Sequence, residues 1–382
     1  MRICLISKQF DPSGGGSERY AYALSVALSG RGHDVDVFAL GDPDSIPELT
    51  THDDLSVTFV GERKRSLVTF ETLYYSLLTR RRVDFDAYDV IHGTLMPASP
   101  IALTVRPPST PLVVTSHGTS LGEVRSHNLE VPTDYLKKLF FHPTNVLMDV
   151  ATITRADRAI AISRDSYDEL AGRYPVSRDA LVHVPHGVNA DRFNPAHDPH
   201  DATTGDRFTL LHVGRLVSRK HVDLGLRALA ALDRDDVELL VAGDGTHRTR
   251  LETLADRLGV ADRVTFLGFV PEADLASLYA GSDAFLFLSR YEGFGLTFLE
   301  AMASGTPVIG TSVGGFPDIV TPGEDGFVVD RDPDDVARVV GRLVDAPDLV
   351  VDASMAARAT AELRTWETVA AETERTYEEI VS

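Results

Sequence analysis

Short apolar runs alternate with longer amphipathic stretches along most of the chain, which predicts parallel strands joined by crossover helices. In the first half, the predicted strands cover residues 2–7, 34–40, 55–60, 88–92, 112–116, 159–163 and 181–185. In the second half, they cover residues 208–213, 237–242, 264–268, 284–288, 307–310 and 327–329. Between the halves, residues 194–206 are rich in turn formers and lack an apolar period, so they are expected to form a linker.

Two α/β halves of similar size predict two Rossmann-like domains that face each other across a cleft. The expected boundary separates an N-terminal domain of residues 1–195 from a C-terminal domain that begins at residue 196. In such folds the ligand binds at the carboxyl ends of the strands. At the first of these ends, the pattern predicts a strand, a glycine loop and a helix with Ser17 as its N-cap, ending near Gly30.

The charge balance narrows the function classes. The 382 residues include 57 acidic and 37 basic ones, for a net charge of −20, which argues against sequence-independent binding of nucleic acid. Nearly all the positive charge is arginine, because the chain has only five lysines, a composition similar to that of halophilic archaeal proteomes. The one cysteine, Cys4, excludes an intramolecular disulfide and a cysteine-built zinc site, so a reducing cytoplasm is expected.

The segment 289–307 carries the most informative chemistry. Glu292 follows a predicted strand and Glu300 lies on a helix that is expected to begin near Leu296. A helix start between two glutamates can place both carboxylates in one pocket while free backbone N–H groups face an anion. This arrangement suits a diphosphate with hydroxylated groups on both sides, although a solvated acidic loop beside a surface helix would give the same pattern.

Two cations follow the first strand of the second half. Arg215 lies at the strand exit and Lys220 at the next helix start, so both are expected to reach the same phosphates. A cation at a helix start is slightly unfavourable for the macrodipole unless an anion is close. Because lysine is so scarce in this chain, Lys220 is interpreted as functional rather than as an ordinary surface charge.

Other candidate residues carry weaker signals. The glycines at 14–16 and at 314–315 fit either a backbone cradle for a phosphate or a plain turn. His117 follows a strand and precedes a glycine, a position from which α/β enzymes present side chains to the cleft. His183 and His186 lack a third candidate ligand, so no metal is inferred. The Asp-x-Asp spelling at 84–86 is interpreted as a solvated turn.

Taken together, the motifs resemble those of one enzyme family. The second half contains, in order, GRLVSRK, EGFGLTFLE, ASGTPVIG and GGFPDIV. The first half contains GGGSERY, SHG around His117, ADRAIAIS and HGVNADRFNP. As a set, these segments resemble the retaining GT-B glycosyltransferases of glycosyltransferase family 4 over most of the chain.

The resemblance implies a nucleotide-sugar in the C-terminal domain and an acceptor in the N-terminal domain. Arg215 and Lys220 would neutralise the diphosphate, Glu292 would face the donor sugar, and Glu300 would bind the ribose hydroxyls. Backbone N–H groups near the helix start would meet the sugar and phosphate, at Gly293, Phe294, Gly295 and Leu296. Asp318 stands where the family more often has glutamate.

For the first half, the resemblance implies a complementary set of contacts. Gly15 and Gly16 would close over the pyrophosphate, and His117 would touch the sugar near the reacting carbon. The C-terminal domain would end at residue 365, and residues 366–382 would form a helix that crosses back to the N-terminal domain.

The implied chemistry needs neither cofactor nor metal. Two cations and a helix N-terminus can stabilise the charge that develops on the leaving diphosphate. A double displacement would require a nucleophilic carboxylate on the opposite face of the sugar, and no residue can be nominated for that role. The family's usual same-face transfer, in which the departing phosphate accepts the acceptor proton, is adopted as the hypothesis.

Two alternatives remain open at this stage. A nucleotide-sugar epimerase of the same fold would cleave and re-form the donor bond without an acceptor, but the paired glutamates favour transfer. A non-catalytic nucleotide-sugar-binding protein is disfavoured because Arg215, Lys220, Glu292 and Glu300 are all present.

The resemblance leaves the acceptor open between a glycan, a lipid-linked molecule and a small molecule. Residues 63–65 and 80–82 are basic and flank an apolar stretch at helical spacing, which could dock on an anionic inner membrane face. A helix that faces the core and carries arginines at its ends would give the same pattern. No apolar run approaches the roughly 18 residues of a membrane span.

Overall fold

The computed structural model describes residues 1–12, 14–41, 54–62, 68–95, 109–122 and 142–381. Within this part of the chain, contacts divide the protein into two units. Unit 1 comprises Met1–His186 with Trp366–Ser382, and unit 2 comprises Gly187–Thr365.

Unit 1 is built on a parallel sheet. Its strands β1–β7 are Arg2–Ile6, Asp34–Leu40, Leu55–Gly61, Val90–Thr94, Leu112–Ser116, Arg158–Ala161 and Leu181–His183. Their order is β3-β2-β1-β4-β5-β6-β7, and every pairing is parallel. Helices α1–α4 are Gly16–Gly30, Val68–Arg82, His142–Ile153 and Arg164–Arg173.

Unit 2 repeats this architecture. Its strands β8–β13 are Phe208–Val213, Val237–Ala242, Val264–Gly268, Ala284–Phe287, Val308–Gly310 and Gly326–Val328. The strand order is β10-β9-β8-β11-β12-β13, again with parallel pairing. Helices α5–α11 are Val222–Ala231, Arg248–Leu258, Glu272–Ala280, Leu296–Ala303, Phe316–Ile319, Pro333–Asp345 and Pro347–Glu362.

The central strands of both sheets are buried, which explains why they could be predicted from the sequence. Strands β1, β5 and β11 are formed almost entirely of buried residues, as expected when helices cover both faces of a parallel sheet. Each of the thirteen predicted strands overlaps an observed one, and the predicted α/β class is confirmed. Strand order reverses between β1 and β4 in unit 1 and between β8 and β11 in unit 2, and these are the points where α/β sheets bind ligands.

The units divide between His186 and Gly187 rather than between residues 195 and 196. The segment after Gly187 belongs to unit 2 because Arg358 of α11 donates hydrogen bonds to its carbonyl oxygens, at 3.0 Å to Ala190 and 2.7 Å to Phe193. Within the predicted linker, Asp201–Thr203 forms a 3-10 turn. The amino-acid composition identifies the turn-rich segment, but the boundary between the units depends on long-range contacts such as those of Arg358.

The last helix, α12, covers Trp366–Val381 and belongs to unit 1. It packs against α1, where Glu374 forms an ion pair with Arg31 and lies 3.0 Å from His33 Nε2. Val369 and Tyr377 of α12 are fully buried in the unit 1 core. Across the described residues, no helix combines the length and apolar character that spanning a membrane requires.

The start of α1 differs from the expected N-cap at Ser17. The helix begins at Gly16 with Gly15 as its N-cap, because the Glu18 carboxylate folds back to accept the Gly15 N–H. The end at Gly30 is as predicted. A helix is present at the expected place as α2, with Arg80–Arg82 exposed in its last turn, and its amphipathic character stays a prediction. Residues 63–67 lie outside the described part.

Candidate active site

A buried ion pair lies at the switch point of unit 2. Lys220 ends the 3-10 turn Ser218–Lys220, which follows β8, and Glu292 follows β11. The Lys220 ammonium contacts Glu292 Oε1, and the two residues are only 8% and 9% exposed. Because β8 and β11 are neighbours, the loops after them bring these two residues together although they are far apart in the sequence.

Two further groups hold the same carboxylate oxygen. Arg219 Nη1 lies 2.9 Å from Glu292 Oε1, and the Ser289 hydroxyl donates to that oxygen over 3.1 Å. Burial alone would raise the pKa of Glu292, but Lys220 and then Arg219 outweigh burial and lower it to about 2. Glu292 is therefore a fixed anion at neutral pH.

Arg215 lies at the exit of β8, as predicted, and its contact with a phosphate stays a prediction. Its side chain is exposed at the exit of β8, and it forms no hydrogen bond or ion pair with the described residues. The structure therefore brings Lys220, but not Arg215, to Glu292. Arg219, which the sequence analysis did not select, supplies the second cation of the pair. Its position beside Lys220 was the one sequence feature that could have pointed to Arg219. The direction of its side chain depends on the 3-10 turn Ser218–Lys220, which the sequence pattern did not predict.

The helix between the two glutamates begins where it was predicted. Helix α8 starts at Leu296 after Gly295, whose φ of 103° is a conformation that favours glycine. Glu300 lies on α8, is 1% exposed and accepts a hydrogen bond of 3.1 Å from the Tyr279 hydroxyl. Tyr279, on α7, was missed by the sequence analysis because nothing in its local pattern connects it with Glu300.

The loop after β12 packs directly on the Glu292 segment. The Gly315 N–H donates to the Phe294 carbonyl over 2.9 Å. At Gly314 a side chain would meet the Phe294 carbonyl at 2.8 Å, and at Gly315 it would meet the Phe294 ring at 2.2 Å. Both glycines are thus required by close packing. Asp318, next to them, is half-buried on the short helix α9.

The loops after β8 and β9 also touch through their backbones. A Cβ at Gly243 would lie 2.0 Å from the Gly214 carbonyl oxygen, and Gly243 has a φ of 136°. Replacing Gly243 with alanine should lower the free energy of unfolding by about 3 kcal/mol, since strain and overpacking act together. Denaturant unfolding of the variant measures this loss.

Gly259 provides the matched control for that substitution. Its φ is 70°, but no atom lies within 4 Å of the position its Cβ would take. Alanine at this position should cost only about 1 kcal/mol, from backbone strain alone. Equal losses for the two variants would show that the contact between Gly243 and Gly214 contributes nothing.

Unit 1 gathers a buried aromatic and histidine cluster next to its own switch point. The Tyr20 ring lies 4.6 Å from the His117 ring and 5.0 Å from the His186 ring, measured between centroids. Trp366 from α12 lies 5.7 Å from His186. Among the described residues, His117 Nε2 has no hydrogen-bond partner although it is buried. Within the described part of the chain, this nitrogen of the predicted residue His117 is therefore available for a hydrogen bond.

His92 extends this cluster on the other side of Tyr20. Its Nε2 lies 2.7 Å from Thr115 Oγ1, which is also 2.9 Å from the Tyr20 hydroxyl, while its Nδ1 contacts the Tyr377 hydroxyl. Burial lowers the pKa of His117 to about 3, and burial together with the His117 charge does the same for His92. Both imidazoles are neutral in the folded protein.

These two histidines predict acid sensitivity. Their pKa values are depressed in the folded state, so the unfolded chain binds more protons between pH 6.5 and pH 3. Stability is therefore retained above pH 6.5 and falls as the pH drops. At pH 5 each histidine should cost about 2 kcal/mol. Thermal unfolding from pH 8 to pH 4.5 tests this, and replacing His92 with phenylalanine should flatten the curve; an unchanged slope in that variant would contradict it.

The predicted glycine loop lies beside this cluster. The Gly14 N–H donates to the Asp11 carbonyl over 3.2 Å, and the Gly15 N–H donates to the Glu18 carboxylate. The Glu18 carboxylate therefore already occupies the Gly15 N–H as part of the capping box of α1.

The described residues contain no group of histidine, cysteine or acidic side chains that could hold a metal ion. The Asp-x-Asp spelling lies at the 3-10 turn Phe85–Ala87, where Phe85 is buried. Asp86 Oδ1 accepts hydrogen bonds from the Ser109 N–H at 3.1 Å and the Ser109 hydroxyl at 3.0 Å. This carboxylate thus has a structural role in the turn.

Comparison with known proteins identifies the family. Residues 14–192 match the family described as Glycosyltransferase Family 4, and residues 195–360 match Glycosyl transferases group 1. A D-inositol 3-phosphate glycosyltransferase of Geodermatophilus obscurus is 30% identical over 383 residues, covering 92% of this chain and 82% of that protein. The chain belongs to glycosyltransferase family 4.

Another relative matches over a shorter region. The D-inositol 3-phosphate glycosyltransferase of Streptomyces scabiei is 36% identical over 249 residues, which cover 61% of this chain and 56% of that protein. The match thus spans little more than half the length of that relative.

Solved structures show the same fold. Sucrose-phosphate synthase of Thermosynechococcus elongatus superposes with a TM-score of 0.83 at 24% identity, covering 99% of this chain and 98% of that chain. HepE of Anabaena, solved in complex with UDP and glucose, gives a TM-score of 0.77 at 20% identity with both chains fully covered. The predicted GT-B fold is confirmed.

Proposed function

We propose that the protein is a retaining, metal-independent glycosyltransferase that moves a sugar from a nucleotide-sugar to a hydroxyl group of an acceptor. The observation that carries this proposal is the buried set of Lys220, Arg219 and Glu292 at the switch point of unit 2. Family membership and the UDP bound to HepE support the choice of a nucleotide-sugar as donor.

In this proposal, unit 2 binds the donor and stabilises the leaving group. Lys220 and Arg215 offset the charge that grows on the diphosphate as the glycosidic bond breaks, and the N-terminus of α8 adds backbone N–H donors. Glu292 accepts hydrogen bonds from the donor sugar, with Gly293, Phe294, Gly295 and Leu296 supplying the backbone around it. Glu300 binds the ribose hydroxyls, and its contact with Tyr279 fixes its direction.

The electrostatics of Glu292 support transfer on one face of the sugar. A double displacement needs a basic carboxylate that can attack the sugar carbon. Glu292 is held by two cations and a hydroxyl, and a pKa of about 2 makes it a weak nucleophile. We therefore assign proton acceptance from the acceptor hydroxyl to the departing phosphate, a step that retains the configuration of the sugar.

In the proposal, unit 1 supplies further contacts to the substrates. His117 offers the donor sugar an imidazole that burial keeps neutral, with Nε2 available within the described residues. Gly16 offers its N–H to the pyrophosphate, and Gly15 does so when the phosphate replaces the Glu18 carboxylate that now accepts its N–H. Residues 1–186 otherwise bind the acceptor.

For the acceptor we propose a hydroxylated small molecule, glycan or lipid-linked glycan, in keeping with relatives named for inositol phosphate and phosphatidylinositol. A lipid-linked acceptor places the protein in the cytoplasm at the inner membrane face, with exposed Arg80–Arg82 towards anionic lipids. Flotation with anionic vesicles tests this contact: equal behaviour of wild type and a variant with these three arginines neutralised would exclude it.

The decisive experiment is a donor panel in high salt without divalent metal. It covers UDP-, GDP- and ADP-sugars and scores nucleotide release with and without cell-lipid extract or inositol phosphate. Release from one donor that rises with an acceptor, giving a product with retained configuration, is expected. Interconversion of the sugar without acceptor would identify an epimerase, and binding without release under every condition would favour a non-catalytic binding protein.

A further inference from the structure

His221 adopts a backbone conformation that favours glycine. Its φ of 54° and ψ of 38° are left-handed, and among the described residues only His221 and Asp233 combine a positive φ with a side chain. This conformation costs energy that glycine would avoid. A strained histidine beside Lys220 therefore indicates that its side chain has a role.

The role of that side chain is to hold Arg290. Arg290 Nη2 donates to His221 Nε2 over 2.8 Å, and His221 is 8% exposed. An arginine is always a donor, so His221 must be neutral to accept this bond. Burial lowers the pKa of His221, and the charges of Arg290 and Arg331 act in the same direction, while Asp223 opposes them.

Arg290 is a cation with no carboxylate partner in the described part of the chain. It is half-buried, and its side-chain acceptor is a neutral imidazole although acidic residues outnumber basic ones by 57 to 37. Arg331 is exposed beside it: its Nη2 donates to the Arg290 carbonyl over 3.2 Å, and no described carboxylate pairs with it. The Asp223 carboxylate lies 3.9 Å from His221 Nε2 but forms no ion pair with Arg290 in the described part of the chain. A partly desolvated cation that lacks a direct ion-pair partner is stabilised when a ligand supplies the anion.

The backbone of Arg290 is joined directly to the candidate active site, while its guanidinium contacts His221 on the adjoining loop. The Arg290 N–H donates to the Arg219 carbonyl over 2.7 Å, and Arg219 in turn contacts Glu292 and donates to the Tyr291 carbonyl over 3.3 Å. The loops after β8 and β11 are thus joined both at Lys220–Glu292 and at His221–Arg290.

We propose that Arg290, oriented by His221 and flanked by Arg331, binds an anionic group of a substrate in addition to the donor diphosphate. The group is a carboxylate or a phosphate, carried either by the transferred sugar or by the acceptor. This inference rests on the proposed function and specifies the substrate class: one of the two substrates is acidic beyond the nucleotide.

Calorimetric binding at fixed salt tests the inference without requiring turnover. The donor arm compares UDP, UDP-glucose and UDP-glucuronate, or GDP, GDP-mannose and GDP-mannuronate if guanosine nucleotides bind. The acceptor arm compares inositol with inositol 3-phosphate in the presence of the nucleoside diphosphate. In Arg290→Gln, affinity for the acidic member of one arm should fall by about tenfold or more, while the neutral members and the nucleotide change less than about twofold.

Variants at His221 separate positioning from structure. Asparagine tolerates the left-handed conformation and keeps a side-chain acceptor, so His221→Asn should preserve the preference for the acidic ligand. Glycine relieves the strain but removes the acceptor, so His221→Gly should lose the preference without lowering Tm. If Arg290→Gln instead weakens all ligands equally, Arg290 belongs to the diphosphate site and the inference is wrong.

The same titrations distinguish failure of the inference from failure of the proposed function. If wild type binds UDP-glucose and UDP-glucuronate equally, and inositol and inositol 3-phosphate equally, the anion site is excluded while the donor site stands. If no nucleoside diphosphate or nucleotide-sugar binds to the wild-type protein, both are overturned.

Discussion

Replacing Lys220 with alanine is expected to lower kcat/KM for the donor by about 10²- to 10³-fold. In the proposed mechanism the ammonium stabilises charge that develops on the diphosphate only as the bond breaks, so kcat should fall more than affinity for the nucleotide. Substrate dependence of nucleotide release in wild type and variant separates the two quantities.

Lys220 also pairs with a buried carboxylate, so the loss must be distinguished from unfolding. Without the ammonium, Glu292 keeps Arg219 and the Ser289 hydroxyl as partners, and we expect the variant to fold with a reduced Tm. Arg227 is the matched control, an exposed cation on α5, and its alanine variant should retain wild-type activity. Unchanged turnover in a folded Lys220→Ala protein would exclude the donor-site assignment.

The strands could be predicted because their pattern is local. In a buried parallel sheet, nearly every strand residue is apolar, and the turn formers at each end limit the run. Phe208–Val213 and Val237–Ala242 were predicted to the residue. The switch points then followed from topology, which placed Lys220 and Glu292 at the end of adjacent strands.

The partners of the site residues could not be predicted because they depend on turn geometry. Lys220 and Arg219 point to Glu292 only because Ser218–Lys220 forms a 3-10 turn and His221 reverses the chain in a left-handed conformation. No sequence signal distinguishes this path from a regular helix start, so the contact of Arg219 with Glu292 could not be predicted.

Long-range contacts set a second limit. His117 was selected because it follows a strand, whereas Tyr20, His92 and Trp366 join it from three other segments of unit 1. Their proximity results from the strand order β1-β4-β5 and from the return of α12 to unit 1. A pattern along the chain carries no information on such a cluster until the topology is known.

Replacing Glu292 with glutamine should reduce both activity and stability. The amide keeps the size of the side chain but leaves Lys220 and Arg219 without their common anion, at a cost of about 3 kcal/mol. Turnover should fall by about 10²-fold or more, because an amide orients the donor sugar less well than a carboxylate that accepts at both oxygens.

The pH dependence of that stability loss gives a sharper test than its size. The pKa of Glu292 is lowered from 4.5 to about 2 on folding, so its stabilising contribution is complete above pH 4.5 and is lost as the pH falls through 2. The difference in unfolding free energy between wild type and Glu292→Gln should therefore be constant from pH 8 to pH 5 and narrow below pH 4.5.

The difference between the two proteins isolates Glu292 from the histidines of unit 1, because both proteins share the acid sensitivity of His92 and His117. A gap that stayed constant down to pH 3 would show that the carboxylate titrates at its ordinary pKa and is not held by the two cations. If the variant lost activity while this free-energy difference stayed constant, Glu292 would remain a contact of the donor sugar. The argument that its low pKa prevents it from acting as the nucleophile would then be lost.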